Sequence, residues 1–145
     1  MRYELPQPFQ DLDHTADVGV VVEGASAEET LARLVLAFAA LLAGGGPVAV
    51  ARDERLAAAS DGGGLTGVAM ALLRELLFRF ATERILPGAC EVLQLDAQGG
   101  KVVVGFGPFD LERHADGLDI KAVTRHQARF EEADGRWRAQ FVFDI

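Results

Sequence analysis

Residues 17–46 read DVGVVVEGASAEETLARLVLAFAALLAGGG, a strand pattern followed directly by a helix pattern. The first eight residues are rich in valine and end at Gly24, which predicts a strand. Ser26 and Glu29 have the spacing of a capping box, and this spacing predicts that a helix begins here. Gly44 is the expected end of that helix.

The middle of the chain contains a second helix pattern. Residues 47–56 favour a strand, and residues 57–67 form a Gly-rich segment that favours a loop. Residues 65–84 carry apolar side chains at helical spacing. The order up to this point is therefore strand, helix, strand, helix.

The second half of the chain has the pattern of antiparallel strands. Residues 90–106 predict a hairpin around the turn DAQGG, and residues 119–145 predict another around Asp134 and Gly135. In the last strand aromatic residues alternate with polar ones, so Asp144 should point away from the aromatic layer. The whole order predicts an α+β fold, with a largely antiparallel β-sheet and two main helices packed on one face. A doubly wound parallel sheet would need helices between the later strands.

Composition limits the class of protein. A chain of 145 residues with 50% hydrophobic content is expected to form a single domain over residues 1–145. The net charge of -8 disfavours direct binding to nucleic acid phosphates, which depends on clustered Lys and Arg. The chain has one cysteine, Cys90, no signal-peptide pattern in MRYELPQPFQ and no apolar run long enough to span a membrane. We therefore expect a cytoplasmic protein.

The N-terminal stretch DLDHTADVGV gathers acidic residues where a loop meets a strand. Asp11, Asp13 and Asp17 lie within seven residues of one another, together with His14. Hard cations such as Ca²⁺ and Mg²⁺ prefer several oxygen ligands, so the cluster is a candidate metal site. Asp residues before a strand also form Asx turns and solvated strand ends, and spacing alone leaves both interpretations open. Zinc is disfavoured because it prefers cysteine and histidine.

Two other segments invite a catalytic interpretation. DGGGLTG, residues 61–67, precedes a helix but lacks the lysine of a phosphate-binding loop, so we interpret it as a connector. DGLDIKAVTRH, residues 116–126, brings Lys121, Thr124, Arg125 and His126 onto one strand. A threonine nucleophile with a histidine base is conceivable there, but no sharp nucleophile turn surrounds the threonine.

Three motifs together resemble the archease family. They are DHTADVGV near the N-terminus, HADGLDIKAVTRHQ further along and GRWRAQFVFDI at the C-terminus, in the order and placement of that family. The helical stretch LLRELLFRF also looks like the family's middle section, so the resemblance covers nearly the whole chain. It implies a small acidic α+β protein that is not itself an enzyme.

The resemblance implies a partner. Archeases assist the RtcB-type tRNA-splicing RNA ligase, which joins RNA ends bearing a 2′,3′-cyclic phosphate or 3′-phosphate to 5′-hydroxyl ends. That ligase uses GTP and Mn²⁺ through a guanylyl-histidine intermediate, and the archease accelerates guanylylation and allows multiple turnovers. We expect a transient complex with such a ligase, and contact with RNA that is indirect or absent.

The resemblance also implies a divalent cation site. In the family, a divalent ion assigned as calcium is held by the aspartate of the HTAD motif and by the C-terminal aspartate with its following residue. These positions match Asp17, Asp144 and Ile145, with Asp13 as a further candidate ligand. Calcium is the expected ion, with magnesium or manganese as alternatives. His14, Lys121, Arg125 and His126 are candidate partner-contacting or functional residues.

The chain departs from the family in one motif. Many members read EIKAVTYH, where this chain has Asp119 for the acidic residue and Arg125 for the tyrosine. Arg125 adds a positive charge that could meet RNA, a nucleotide or an acidic patch on the ligase. Two alternative functions stay open: a metal-dependent phosphoester hydrolase, and a broader chaperone or interaction module for RNA-processing enzymes.

Overall fold

The structure is a computed structural model. It describes residues 1–14 and 17–145, and for residues 12–14 it describes the backbone alone. The elements in chain order are β1 (Arg2–Glu4), β2 (Gln10–His14), β3 (Asp17–Gly24), α1 (Ala27–Ala43), β4 (Arg52–Ala59), α2 (Gly64–Glu83), β5 (Ile85–Leu95), β6 (Gly99–Pro108), β7 (Ala122–Ala133) and β8 (Arg136–Asp144).

The strands form two antiparallel sheets. The first sheet has the order β1-β5-β6-β4, and the second sheet has the order β2-β3-β8-β7. Helix α1 packs on β5 of the first sheet and on β3 and β8 of the second, while α2 packs mainly on β7 and β4. The predicted α+β class with antiparallel strands and two main helices is confirmed. The strands divide between two sheets, and each helix contacts both.

The composition of α1 explains why it is covered on more than one side. Its buried residues include consecutive positions from Leu34 to Ala39, so apolar side chains surround much of its circumference. A helix that is hydrophobic on most sides is stable only when neighbouring elements cover it from several directions. This requirement places α1 in the core between the two sheets.

The predicted start and end of α1 are confirmed. Ser26 is the N-cap, and its Oγ accepts a hydrogen bond from the Glu29 backbone N–H at 3.0 Å. The Glu29 carboxylate accepts in turn from the Ala25 N–H at 2.8 Å, and this bond lowers the pKa of Glu29 below its ordinary value. Gly44 ends the helix in the left-handed region with φ 61°, which glycine adopts without a Cβ penalty.

The aromatic face of β8 is also confirmed. Phe141 and Phe143 are fully buried, and the Phe143 ring lies 5.2 Å from that of Phe38 on α1, measured between centroids. Asp144 is exposed, as the alternation along the strand predicts. The turn at Asp134 and Gly135 has positive φ at both residues, which suits the twist of a tight hairpin.

Helix α2 is fixed to the first sheet by an ion-pair network that the sequence did not reveal. Arg79 is largely buried, donates to both carboxylate oxygens of Glu54 at 2.9 and 2.6 Å, and also pairs with Glu83. Its guanidinium lies 5.1 Å from the centroid of the Phe106 ring. Arg79 also lowers the pKa of Glu54, mainly through these hydrogen bonds.

Several strand boundaries differ from the sequence prediction, including both ends of β4. The strand expected over residues 47–56 is β4, which begins at Arg52 opposite Phe106 and continues to Ala59 through the start of the predicted loop. The pairing with β6 sets this register, and Ala51 adds a backbone bond to Phe106 at 2.8 Å. Among the described residues, neither helix is long and apolar enough to cross a membrane.

Candidate functional site

The register of the second sheet brings the start of β3 and the end of β8 together at one sheet corner. Asp17, the first residue of β3, lies directly opposite Asp144, the last residue of β8. Side chains at directly opposite positions of an antiparallel pair share a face, with Cβ atoms about 5 Å apart. The sequence prediction paired these two residues only through the family resemblance. The ladder gives that pairing a geometric basis.

The two carboxylates have unequal surroundings. Asp144 is exposed, whereas Asp17 is partly buried. The Oδ1 atom of Asp17 is buried and accepts no hydrogen bond from any group in the described part of the chain. An unsatisfied buried polar atom typically lowers the stability of the folded state by about 1–3 kcal/mol. This oxygen would therefore be stabilised by binding a cation or by accepting a hydrogen bond from a further donor.

The donor chemistry at this corner fits a hard cation in part. Carboxylate oxygens are suitable ligands, but calcium takes about six to eight oxygens, so other ligands would have to come from backbone oxygens or water. Among the side chains that the structure describes, no third acidic, histidine or cysteine side chain joins the pair to form a metal cluster. Ile145 follows Asp144 and is 39% exposed.

Two of the predicted residues have side chains outside the described part of the structure. The backbone of β2 places position 14, His14, opposite Asp17, and position 13, Asp13, opposite Val18. The ladder therefore places position 14 on the face of the carboxylate pair, whereas position 13 shares the face of Val18, on the other side of the sheet. Their predicted roles as a further ligand and as a functional residue stay predictions.

Lys121, which directly precedes the neighbouring strand β7, lies at the same corner. Its backbone N–H donates to the Asp144 carbonyl at 2.8 Å, immediately before β7 pairs Ala122 with Asp144. The Asp144 carbonyl therefore already accepts one hydrogen bond within the described part of the chain. The exposed side chain of Lys121 places a positive charge at the end of the sheet that also holds the carboxylates.

Arg125 and His126 lie in an irregular part of β7, further from the corner. The pairing of β7 with β8 shifts register between Thr124 and Arg129, and Gln127 has a positive φ of 56° within that shift. His126 is exposed. Thr124 donates its hydroxyl to the Val142 carbonyl at 3.0 Å, so this hydroxyl is engaged in the sheet. The structure therefore adds no support to a threonine nucleophile.

The charge of Arg125 is paired within the protein. Its Nη2 lies 2.6 Å from Asp61 Oδ1, and its Nη1 donates to the Asp61 carbonyl at 3.1 Å. Arg74 of α2 contacts the other carboxylate oxygen of Asp61 at 2.7 Å and also donates to the Val123 carbonyl. Asp61 therefore bridges α2 and β7, and Arg125 would have to leave this pair to contact any other anionic group.

The predicted connector over residues 61–67 is shorter than expected, because α2 begins at Gly64, and hydrogen bonds tie the connector to the first turn of that helix. The Asp61 N–H donates to the Gly67 carbonyl at 3.1 Å, and the Ser60 hydroxyl donates to the Gly64 carbonyl at 2.9 Å. A Cβ added at Gly62 would collide with the Arg125 guanidinium. Spacing could not have linked Asp61 to Arg125, because the two residues are distant in sequence.

The sole cysteine has no role at this site. Cys90 lies in β5 of the first sheet with no exposed surface, and burial raises the pKa of its thiol to about 12. A thiol in this environment stays protonated and unreactive at neutral pH. Cys90 is therefore a buried structural residue of the first sheet.

Comparisons with known proteins find similarity to one protein family. The model of the Archease protein family (MTH1598/TM1083) matches residues 9–145. The protein archease of Methanopyrus kandleri is 31% identical over 141 residues, which cover 95% of this chain and 99% of the relative. The protein archease of Pyrobaculum islandicum is 30% identical over 149 residues, with complete coverage of both chains.

Solved structures give the same result for the fold. The solution structure of Methanobacterium thermoautotrophicum protein 1598 has a TM-score of 0.74 and 26% identity, and the match covers 94% of this chain and 98% of the other. A crystal structure from Thermotoga maritima, described as an archease and possible chaperone, has a TM-score of 0.59 and 16% identity, and the match covers 99% of each chain. At that identity the second match supports the fold alone.

Proposed function

Because this chain belongs to the archease protein family, we propose that it is an accessory activator of an RtcB-type tRNA-splicing and RNA-repair ligase. In this role it is a protein cofactor and not the catalyst. It docks transiently on the ligase, promotes the GTP-dependent guanylylation of the ligase and allows multiple turnovers. The family resemblance supplies the partner, and the geometry of the chain suggests which residues act.

The observation that carries the proposal is the carboxylate pair at the corner of the second sheet. Asp17 and Asp144 are directly opposite, and one oxygen of Asp17 is buried without a donor in the described part of the chain. A divalent cation would satisfy that oxygen and reduce the repulsion between the two carboxylates. Asp17 and Asp144 would hold the ion, with Ile145 as a further proposed ligand, and calcium is the proposed ion.

The chain's own residues have two tasks in this proposal. Asp17 and Asp144 present negative charge at a fixed point, where a bound divalent cation supplies charge neutralisation for nucleotide phosphates. Lys121, held at the same corner through its backbone bond to Asp144, presents a positive charge to an acidic group of the ligase or its nucleotide. His14 and His126 are proposed contacts with the partner.

The acidic character of the chain favours a protein partner over RNA. The net charge is -8, and Arg125, one of the candidate cationic contacts, is paired with Asp61. Phosphate backbones bind to clustered cationic side chains, because counterion release drives that association. We therefore propose that RNA reaches the complex through the ligase and that this chain contacts the ligase itself.

The proposal is tested by the rate of guanylylation of the cognate ligase with GTP and Mn²⁺. The wild-type chain should accelerate the reaction at substoichiometric amounts, and Asp17→Asn/Asp144→Asn should not. Glu131→Gln/Glu132→Gln is the matched control, because it also removes two negative charges, from exposed positions of β7 near the turn that joins β7 to β8. Equal acceleration by the wild type and the Asp17/Asp144 variant would refute the role of the carboxylate pair. No acceleration by the wild type of an active ligase would refute the activator role.

A further inference from the structure

An apolar groove lies at the C-terminal end of α1, on the side of the protein where the N-terminal segment crosses the helix. It has a volume of about 460 Å³. Its apolar walls come from three parts of the chain and include Leu5, Pro6, Phe9, Ala40, Leu41 and Leu118. Most of these side chains are only partly buried, so the groove opens to solvent. Its volume lies within the range of about 300–1,000 Å³ that is typical of ligand pockets.

The rim of this groove is negatively charged. Asp11 and Asp116 are exposed and line it, and within the described side chains neither forms an ion pair. The groove also lies at the carboxyl end of α1, whose last turn contains no basic residue. The C-terminus of a helix carries a partial negative charge of about half a unit. Three sources of negative potential therefore surround one apolar depression.

The combination of charge and shape determines what can bind. An apolar floor favours a buried side chain, and the acidic rim favours a Lys or Arg beside it. The same rim repels phosphate groups, so nucleic acids and anionic membranes are disfavoured. A second copy of this chain would bring another net charge of -8 towards the rim. The complementary occupant is a protein segment in which an apolar side chain lies next to a basic one.

We propose that this groove, which we call the α1-end groove, is the docking site for a basic, apolar segment of the RNA ligase. This inference rests on the proposed activator function and adds the surface through which the partner is held. The groove is distinct from the carboxylate pair. Asp11 is paired with the core residue Val20, so it lies on the core face of the sheet. Asp17 directly precedes the core residue Val18 in β3, so its side chain lies on the opposite face.

The separation of the two sites gives the proposal a specific kinetic consequence. Variants of the α1-end groove should raise the concentration of this chain that gives half-maximal stimulation of guanylylation, and they should leave the maximal stimulation unchanged. Variants of Asp17 and Asp144 should lower the maximal stimulation. Docking and activation are thereby assigned to different residues of the same chain.

Two groove variants test the proposal by different physical routes. Asp11→Asn/Asp116→Asn removes the rim charges with little change in shape, and we expect the Kd for the ligase to rise about tenfold at low salt. Ala40→Phe fills the groove from a partly exposed helix position, and we expect a loss of more than tenfold. Glu131→Gln/Glu132→Gln changes the net charge by the same two units elsewhere and should leave the Kd unchanged. Binding is measured by titration calorimetry with the purified ligase, and circular dichroism with thermal unfolding confirms that each variant is folded.

The outcomes separate this inference from the function on which it rests. If the wild type stimulates the ligase and both groove variants bind and stimulate like the wild type, the docking site is wrong and the activator function stands. If the wild type neither binds nor stimulates an active ligase, both proposals fail. If sedimentation velocity shows a wild-type dimer that Ala40→Phe dissociates, with ligase binding unchanged, the groove holds a second copy and the proposal is overturned. If Ala40→Phe is unfolded, the paired Asp→Asn variant decides the question alone.

Discussion

Asp17→Asn should stabilise the protein in the absence of divalent cations. In the wild type, Asp17 faces a second carboxylate across the ladder, and its Oδ1 is buried without a donor among the described residues. Directly opposed like charges cost roughly 0.2–1 kcal/mol, and an unsatisfied buried oxygen costs about 1–3 kcal/mol. An asparagine removes the charge and can donate its amide to Asp144. We therefore expect a gain of about 1–2 kcal/mol in the free energy of unfolding in EDTA.

Calcium should reverse the order of the two proteins. A ligand at 100 times its Kd stabilises the folded state by about 2.7 kcal/mol, and the wild type should gain this while Asp17→Asn gains little. Urea unfolding in EDTA and in excess calcium measures both effects, with Glu131→Gln/Glu132→Gln as the control for net charge. The reasoning is refuted if Asp17→Asn is no more stable than the wild type in EDTA, or if calcium stabilises both proteins equally.

Three further predictions concern the scaffold around the site. Arg79→Met should lower the free energy of unfolding by about 2–3 kcal/mol in urea titrations, because it removes a largely buried, doubly paired cation. Arg79 holds the pKa of Glu54 below its ordinary value of 4.5, so the stabilisation by this ion pair is present above pH 4.5 and is lost as the pH falls further. Because Arg79→Met lacks the ion pair, the variant should lose less stability on acidification than the wild type does. Cys90 should react with a thiol reagent at pH 8 only as fast as the protein unfolds, and faster modification would contradict its burial. Gly62→Ala should lower the free energy of unfolding by about 1–2 kcal/mol in thermal unfolding, since the φ of Gly62 is 91°, a conformation that favours glycine.

The sequence predicted the local elements that depend on neighbouring residues. The start of α1 at Ser26, its end at Gly44 and the strand over residues 17–24 are confirmed, because capping and β-branched patterns act over a few positions. The alternation in β8 likewise predicted a buried Phe143 beside an exposed Asp144. These features require no knowledge of what packs against them.

Features that depend on distant residues were not predictable in the same way. The division of the strands into two sheets depends on pairings such as β1 with β5, which local patterns do not encode. The pairing of Arg125 with Asp61 joins positions that are 64 residues apart, and neither residue has a local motif that predicts it. The register that places Asp17 opposite Asp144 is of this kind too, and only the family resemblance connected the two residues beforehand.

The most direct test of the activator role is multiple-turnover RNA ligation. The assay uses the cognate RtcB-type ligase, GTP, Mn²⁺, and excess RNA with 2′,3′-cyclic phosphate and 5′-hydroxyl ends, with this chain at a tenth of the ligase concentration. The account predicts many ligated products per ligase with the wild type and about one product with Asp17→Asn/Asp144→Asn or without the chain. A product yield that does not change when the wild-type chain is added would contradict it.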